Sequence, residues 1–128
     1  MILNFLSFIV VFISACKKDL GQNADIIVHE ATNAYLEGMD VGSNEYIVTK
    51  DARIHGHSTP QIAGEFAKRI NAKKLILSHF SSRYKGDESL ESIAIMTRIE
   101  KQAIEASGFN VDEVIAAWDF MTTSVPSN

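Results

Sequence analysis

The stretch "HSTPQIAGEFAKRINAKKLILSHF" (residues 57–80) decides the fold. Thr59 is a residue type that accepts a backbone amide at a helix start, and Pro60 suits the first helical position. Ile62, Phe66 and Ile70 then recur every four residues, with Ala63 and Ala67 beside them, which makes one apolar stripe over 60–70. Asn71 ends the helix, and after a short loop "KLILSHF" (74–80) reads as a buried strand. Upstream, "ADIIVHEA" (24–31) is a second short apolar run rich in Ile and Val, a buried strand ending at His29 and Glu30. Strand, helix, strand in this rhythm predicts an α/β layer with helices packed on a sheet.

Working outward, residues 33–55 carry Gly38, Gly42, Ser43 and Asn44 and read as a loop or a frayed helical turn. "SSRYKGDES" (81–89) is a polar loop. A long helix is predicted over 87–106, with Ile93, Met96, Ile99 and Ala103 on one side and Gly108 stopping it. The stretch "VDEVIAAWDFMTTSVP" (111–126) predicts one or two short strands or an edge hairpin, closed by Pro126.

The chain has 128 residues, of which 46% are apolar, enough for a core in one small domain or a piece of a larger one. Twelve basic and 16 acidic residues give a net charge of −4. Lys68-Arg69 and Lys73-Lys74 are too short to form the basic stripe of an autonomous nucleic-acid binder. Cys16 is the only cysteine, which excludes an intramolecular disulfide and a four-cysteine zinc site. The opening "MILNFLSFIVVFISAC" is almost continuously apolar and meets Lys17-Lys18. It is shorter than the roughly 20 residues of a membrane span. It has the length of a signal-peptide core, but no basic residue precedes it. "ISAC" is similar to a lipoprotein cleavage box; the plainer readings are a buried strand or sequence foreign to the domain. We treat 1–18 as a separate segment, expected to pack poorly on the rest as a helix or extended arm, and 19–128 as the domain.

All four histidines, His29, His55, His57 and His79, fall at the ends of predicted elements. Loops at the carboxyl ends of strands are where α/β proteins place ligand groups. If the 60–70 helix is a crossover, the strands ending at His29 and His79 are neighbours, and Glu30 and His57 approach His79. Each residue also has a plainer reading: a hydrogen-bonded core histidine, a carboxylate on a backbone amide, an exposed imidazole beside a helix cap. "HGH" begins an H-x-H-x-D-H metal motif, but Thr59 and Pro60 stand where Asp and His are needed. Catalytic zinc usually takes three protein ligands, and no second cluster completes a set.

"ADIIVHEAT", then "HGHSTPQIAGEFAKRINAKKLILSHFSSRY", then "WDFM" and "VP" together resemble the C-terminal part of ribonuclease Z, over residues 24–126. These are tRNA 3′-processing endonucleases of the metallo-β-lactamase superfamily, and the short form is most similar. The resemblance implies an αββα sandwich, here its C-terminal half, and phosphodiester hydrolysis at a two-zinc centre. It implies that His79 is the last histidine ligand to zinc, that His57 is the general acid toward the leaving oxygen, and that Glu30 orients His57. A carboxylate beside an imidazole favours its charged, proton-donating form. The helix opening at Pro60 would turn its positive end toward phosphate. The implied partner is precursor tRNA rather than DNA, with a homodimer as a further expectation. The implied compartment is cytoplasm or nucleus, with a membrane only if the apolar N-terminus is a real signal. His55 has no assigned role in the family.

The pattern also breaks. The H-x-H-x-D-H motif, the further histidine, the "GDT" aspartate ahead of Glu30 and the RNA-clamping arm are all absent from these 128 residues. Of seven metal ligands that the resemblance implies, only His79 is present. The chain therefore reads as an incomplete domain, inactive alone. The alternatives are a non-catalytic half-domain that pairs with another chain, and an exported lipoprotein-like protein.

Overall fold

The computed structural model describes residues 8–10, by backbone, and 21–126. Four strands form one parallel sheet in the order β1 (Phe8–Val10), β2 (Ile26–Glu30), β3 (Leu75–Ser78), β4 (Val114–Ala116). The helices are α1 (Glu45–Ile54), α2 (Pro60–Arg69) and α3 (Leu90–Ser107). Parallel neighbours require crossover connections; α2 lies in the one from β2 to β3 and α3 in the one from β3 to β4. The α/β layer expected from residues 24–80 is therefore present, with β2 and β3 paired Ile27 to Leu75 and Glu30 to Ser78.

Side chains alternate across the strands, so one register row faces one way. Ile27, Leu75, Leu77 and Val114 share a face and are fully buried with Phe66, Ala67, Ile70, Ile99 and Ala103 from the two helices. Val28, Ile76 and Ile115 lie on the other face and are only half-buried. Among the described residues α2 and α3 pack on one face of the sheet, while on the other Lys74 holds Thr123 and the Ser124 carbonyl of the C-terminal segment; a single sheet with its helical layer is half of a sandwich, as the sequence led us to expect.

The local signals explain α2 and α3. Thr59 Oγ1 accepts the amide of Ile62, Pro60 occupies the first turn, and Asn71 ends the helix in the left-handed region at φ 55°. Ser89 Oγ caps α3 by accepting the Ser92 amide, and Gly108 ends it at φ 75°. Of the side predicted for α3, Ile99 and Ala103 are buried and Met96 packs on the core, whereas Ile93 is exposed.

Three expectations need correction. Residues 45–54, read as part of a loop or a frayed helical turn, form the full helix α1, capped by Asn44 Oδ1 on the Ile47 amide at 3.0 Å. Only Ala52 of α1 is buried, so the helix adds little to the core. Of the alternatives for 111–126, one short strand is present and the hairpin is not: a 3₁₀ turn at Val111–Glu113 leads into β4, parallel to β3, because α3 has carried the chain back along the sheet. Finally, Phe8–Val10 of the 1–18 segment is the sheet's edge strand, paired with Ile26, Ile27 and Val28, instead of part of a separate arm. The rest of that segment, Cys16 included, lies outside the described residues. No described helix is long and apolar enough to cross a membrane.

At the α2–α3 crossing, a Cβ on Gly64 would stand 2.5 Å from the Ala103 carbonyl oxygen. Gly64→Ala gains about 1 kcal/mol of helix propensity but forces apart two packed backbones, at about 1–3 kcal/mol. We expect a net loss of stability, read as a lower midpoint in thermal or urea unfolding. A midpoint equal to or above the parent's would show that the helices do not pack this closely.

Candidate functional site

β2 and β3 run parallel and end side by side, and the site is built on the loops that leave them. Glu30 is the last residue of β2, opposite Ser78. The Ala31 amide donates to the Ser78 carbonyl at 2.9 Å, and the Ser81 amide to the Thr32 carbonyl at 2.9 Å, so the loops after both strands are stitched together. His79 follows β3 in the left-handed region, φ 55°. His57 enters from a third direction, in the turn between α1 and α2, held by its amide on the Ala52 carbonyl at 2.8 Å.

The Glu30 side chain is the floor, 7% exposed, with His57 at 37% and His79 at 58% above it. Glu30 Oε2 lies 3.4 Å from His57 Nδ1 and 3.7 Å from His79 Nδ1, and the two imidazole centres are 5.7 Å apart. Each residue offers a ligand atom, and the three atoms lie within 4.8 Å of one another. The structure thus brings together Glu30, His57 and His79, the three residues singled out in the sequence.

The other two histidines go elsewhere. His29 points to the opposite face of β2, into the core, 5.4 Å from the Phe66 ring, and its Nδ1 lies 2.8 Å from the Glu30 carbonyl oxygen. Burial pushes the His29 imidazole below its ordinary range, against smaller raising effects of the Glu30 carbonyl and carboxylate. His55 caps α1, exposed beside Asp51.

Two groups escaped the sequence reading. Thr32, two residues after Glu30, is buried, and its hydroxyl donates to Glu30 Oε2 and lies 3.0 Å from His79 Nδ1 and 3.4 Å from His57 Nδ1. The only signal was its place at the end of "VHEAT". Arg83 binds Asp40 through both guanidinium arms, at 2.6 and 3.0 Å, and also reaches the Ala34 carbonyl and the Tyr84 hydroxyl. The Arg83 hydrogen bonds hold the Asp40 carboxyl below the usual carboxylate range, with the Leu36 amide adding to the effect. This clamp ties the loop after β3 to the segment after Thr32. α3 grips the same segment through Arg98 on the Glu37 carbonyl and Gln102 on the Tyr35 carbonyl.

Comparison with known proteins supports the ribonuclease Z resemblance. The chain is 40% identical over 108 residues to human zinc phosphodiesterase ELAC protein 1, covering 80% of this chain and 25% of that protein. It is 36% identical over 109 residues to ribonuclease Z of Bacillus subtilis (strain 168), covering 85% and 28%. The crystal structure of human tRNase Z, short form, superposes with a TM-score of 0.49 and 34% identity, over 86% of this chain and 28% of that one. No family model matches. The chain spans about a quarter of the length of the relatives it matches.

His29, in the core beneath the site, gives the fold a measurable pH response. Its folded form resists protonation, so below an unfolded value of 6.5 the unfolded chain binds the extra proton first. The contribution is complete above that pH and is lost as pH falls from 6.5 toward the lowered folded value. We expect His29→Gln to flatten the acid limb of unfolding midpoint against pH. Parallel acid limbs for parent and variant would contradict the burial of a neutral His29.

Proposed function

We propose that this chain, a ribonuclease Z-type segment, contributes part of the active centre of a zinc-dependent endoribonuclease that removes 3′ trailers from precursor tRNA. The observation that carries the reading is the convergence of Glu30, His57 and His79 on one rim of the sheet, in a chain 40% identical to a zinc phosphodiesterase. On this reading the protein works in the cytoplasm or nucleus.

The donor set fits a share of a zinc centre. The exposed His79 ring can offer Nε2 to an ion, since its Nδ1 is turned to Thr32 and Glu30. When bound, zinc supplies an activated water and an electrophile for the phosphodiester. Glu30 accepts from the Nδ1 side of His57, fixing the ring so that Nε2 faces outward. From there His57 delivers a proton to the leaving oxygen, with Glu30 stabilising the imidazolium that does so. Geometry of this kind contributes about 10²–10⁴ in rate. It does not replace the metals, for which these 128 residues hold one ligand of the expected seven, so the chain alone is inactive.

A second reading draws on the half-buried Val28, Ile76 and Ile115 face. There the chain is a non-catalytic half-domain that covers this face with another chain, and native mass spectrometry separates it from a monomer.

The test is a chimera in which residues 24–126 replace the matching segment of the B. subtilis ribonuclease Z. We expect the chimera to cut precursor tRNA at the trailer, His57→Ala and Glu30→Gln in it to lose about 10²–10⁴-fold, and the 128-residue chain to stay at background with substoichiometric zinc. Robust cleavage by the chain alone, or full activity of the His57→Ala chimera, would overturn the assignment.

A further inference from the structure

The Glu30, His57 and His79 ligand atoms are close enough to invite an ion between them, yet that space is filled. The Thr32 hydroxyl oxygen lies there, bonded to Glu30 Oε2, 3.0 Å from His79 Nδ1 and 3.4 Å from His57 Nδ1. An ion at the centre would have to sit on that oxygen. We infer that Thr32 is a positioning residue: its hydroxyl, in place of a metal, joins the carboxylate to both imidazoles and fixes the proton of each on Nδ1, so that both Nε2 atoms face outward.

Counting protons gives the result. A threonine hydroxyl has one proton and two acceptor lone pairs, and a carboxylate only accepts. Two oxygens are within reach of the hydroxyl proton, Glu30 Oε2 and the His79 carbonyl at 3.0 Å. The carboxylate is the stronger acceptor, ahead also of a bare His79 Nδ1 at 3.0 Å, and with the proton on either oxygen the hydroxyl oxygen is left as an acceptor. His79 Nδ1 therefore faces a lone pair and must carry hydrogen. His57 Nδ1 stands 3.4 Å from Thr32 Oγ1 and 3.4 Å from Glu30 Oε2, acceptors both, and must carry hydrogen too. A neutral ring with hydrogen on Nδ1 presents a bare Nε2. In His79 that is a ligand nitrogen; in His57 it is the atom that takes and returns the proton. The use of these atoms rests on the nuclease reading, whereas the proton positions do not.

The experiment reads the protons directly, in the full 128-residue chain, by long-range ¹H–¹⁵N correlation of the imidazoles at a pH where the rings are neutral. In the parent chain we expect the Nδ1–H form at His79 and His57. Thr32→Val keeps the shape and removes the hydroxyl: His79 should lose the Nδ1–H preference and shift toward the Nε2–H form of free imidazole. Thr32→Ser should restore it, with folding of each variant followed by thermal unfolding. Added zinc should move the His79 Nε2 resonance and leave Nδ1–H in place. An Nε2–H tautomer at His79 in the parent, an unchanged tautomer in a folded Thr32→Val, or loss of both Nδ1–H signals on zinc addition would each overturn the inference. A Thr32→Val variant that does not fold leaves the parent spectrum and Thr32→Ser to decide. Loss of cleavage in the chimera with these tautomers intact would sink the nuclease reading alone.

Discussion

A carboxylate buried at the end of a strand needs donors, and the Glu30 side chain, 7% exposed, sets the rest of the site around that need. Burying such a charge without partners is far costlier than burying an apolar group. Glu30 meets the requirement with a hydroxyl two residues on and two imidazoles from other elements, 27 and 49 positions later in the chain (57 − 30 and 79 − 30). The loops that bring them are therefore fixed at one point, from three directions.

The fold delivers those loops because the sheet is parallel. Every parallel strand ends at the same edge, and crossover helices return the chain to begin the next one. β2 and β3 thus release Glu30 and His79 side by side. The close approach of α2 to α3 at Gly64 holds α2 against the sheet, and so fixes where His57, three residues ahead of α2, can stand. A substitution in the helix crossing would be felt at the site through that placement, since Gly64 follows His57 by only seven positions (64 − 57) on the same helical arm.

The parts of this arrangement with strong local chemistry were legible in the sequence. α2 has a cap, a proline and an apolar stripe; β2 and β3 are apolar on both faces. Their ends place Glu30 and His79, and the resemblance to ribonuclease Z adds His57. α1 was not fully legible, because Gly38, Gly42, Ser43 and Asn44 just ahead of it read as loop and only Ala52 of the helix joins the core. The direction of β4 was hidden too, since three residues carry no sign of parallel or antiparallel pairing. Phe8–Val10 sits in an apolar run that a signal core, a membrane segment and a strand would share. Thr32 and Arg83 act through long-range contacts, 47 and 43 positions from His79 and Asp40, and no spacing rule reaches that far.

His79 shows what the surrounding bonds accomplish. A left-handed backbone in a residue with a Cβ costs about 1–2 kcal/mol, and such a conformation persists only where neighbours over-determine it. Here they do. On one side the Ala31 amide holds the Ser78 carbonyl; on the other the Ser81 amide holds the Thr32 carbonyl, and the Thr32 hydroxyl lies 3.0 Å from the carbonyl of His79 itself. Beyond them Arg83 locks the outgoing loop to Asp40 and Ala34. At this left-handed residue, just past the end of β3, the His79 Nδ1 stands 3.7 Å from Glu30 Oε2. The cost of that conformation is local, and the bonds that hold it are the same ones that join the loops after β2 and β3.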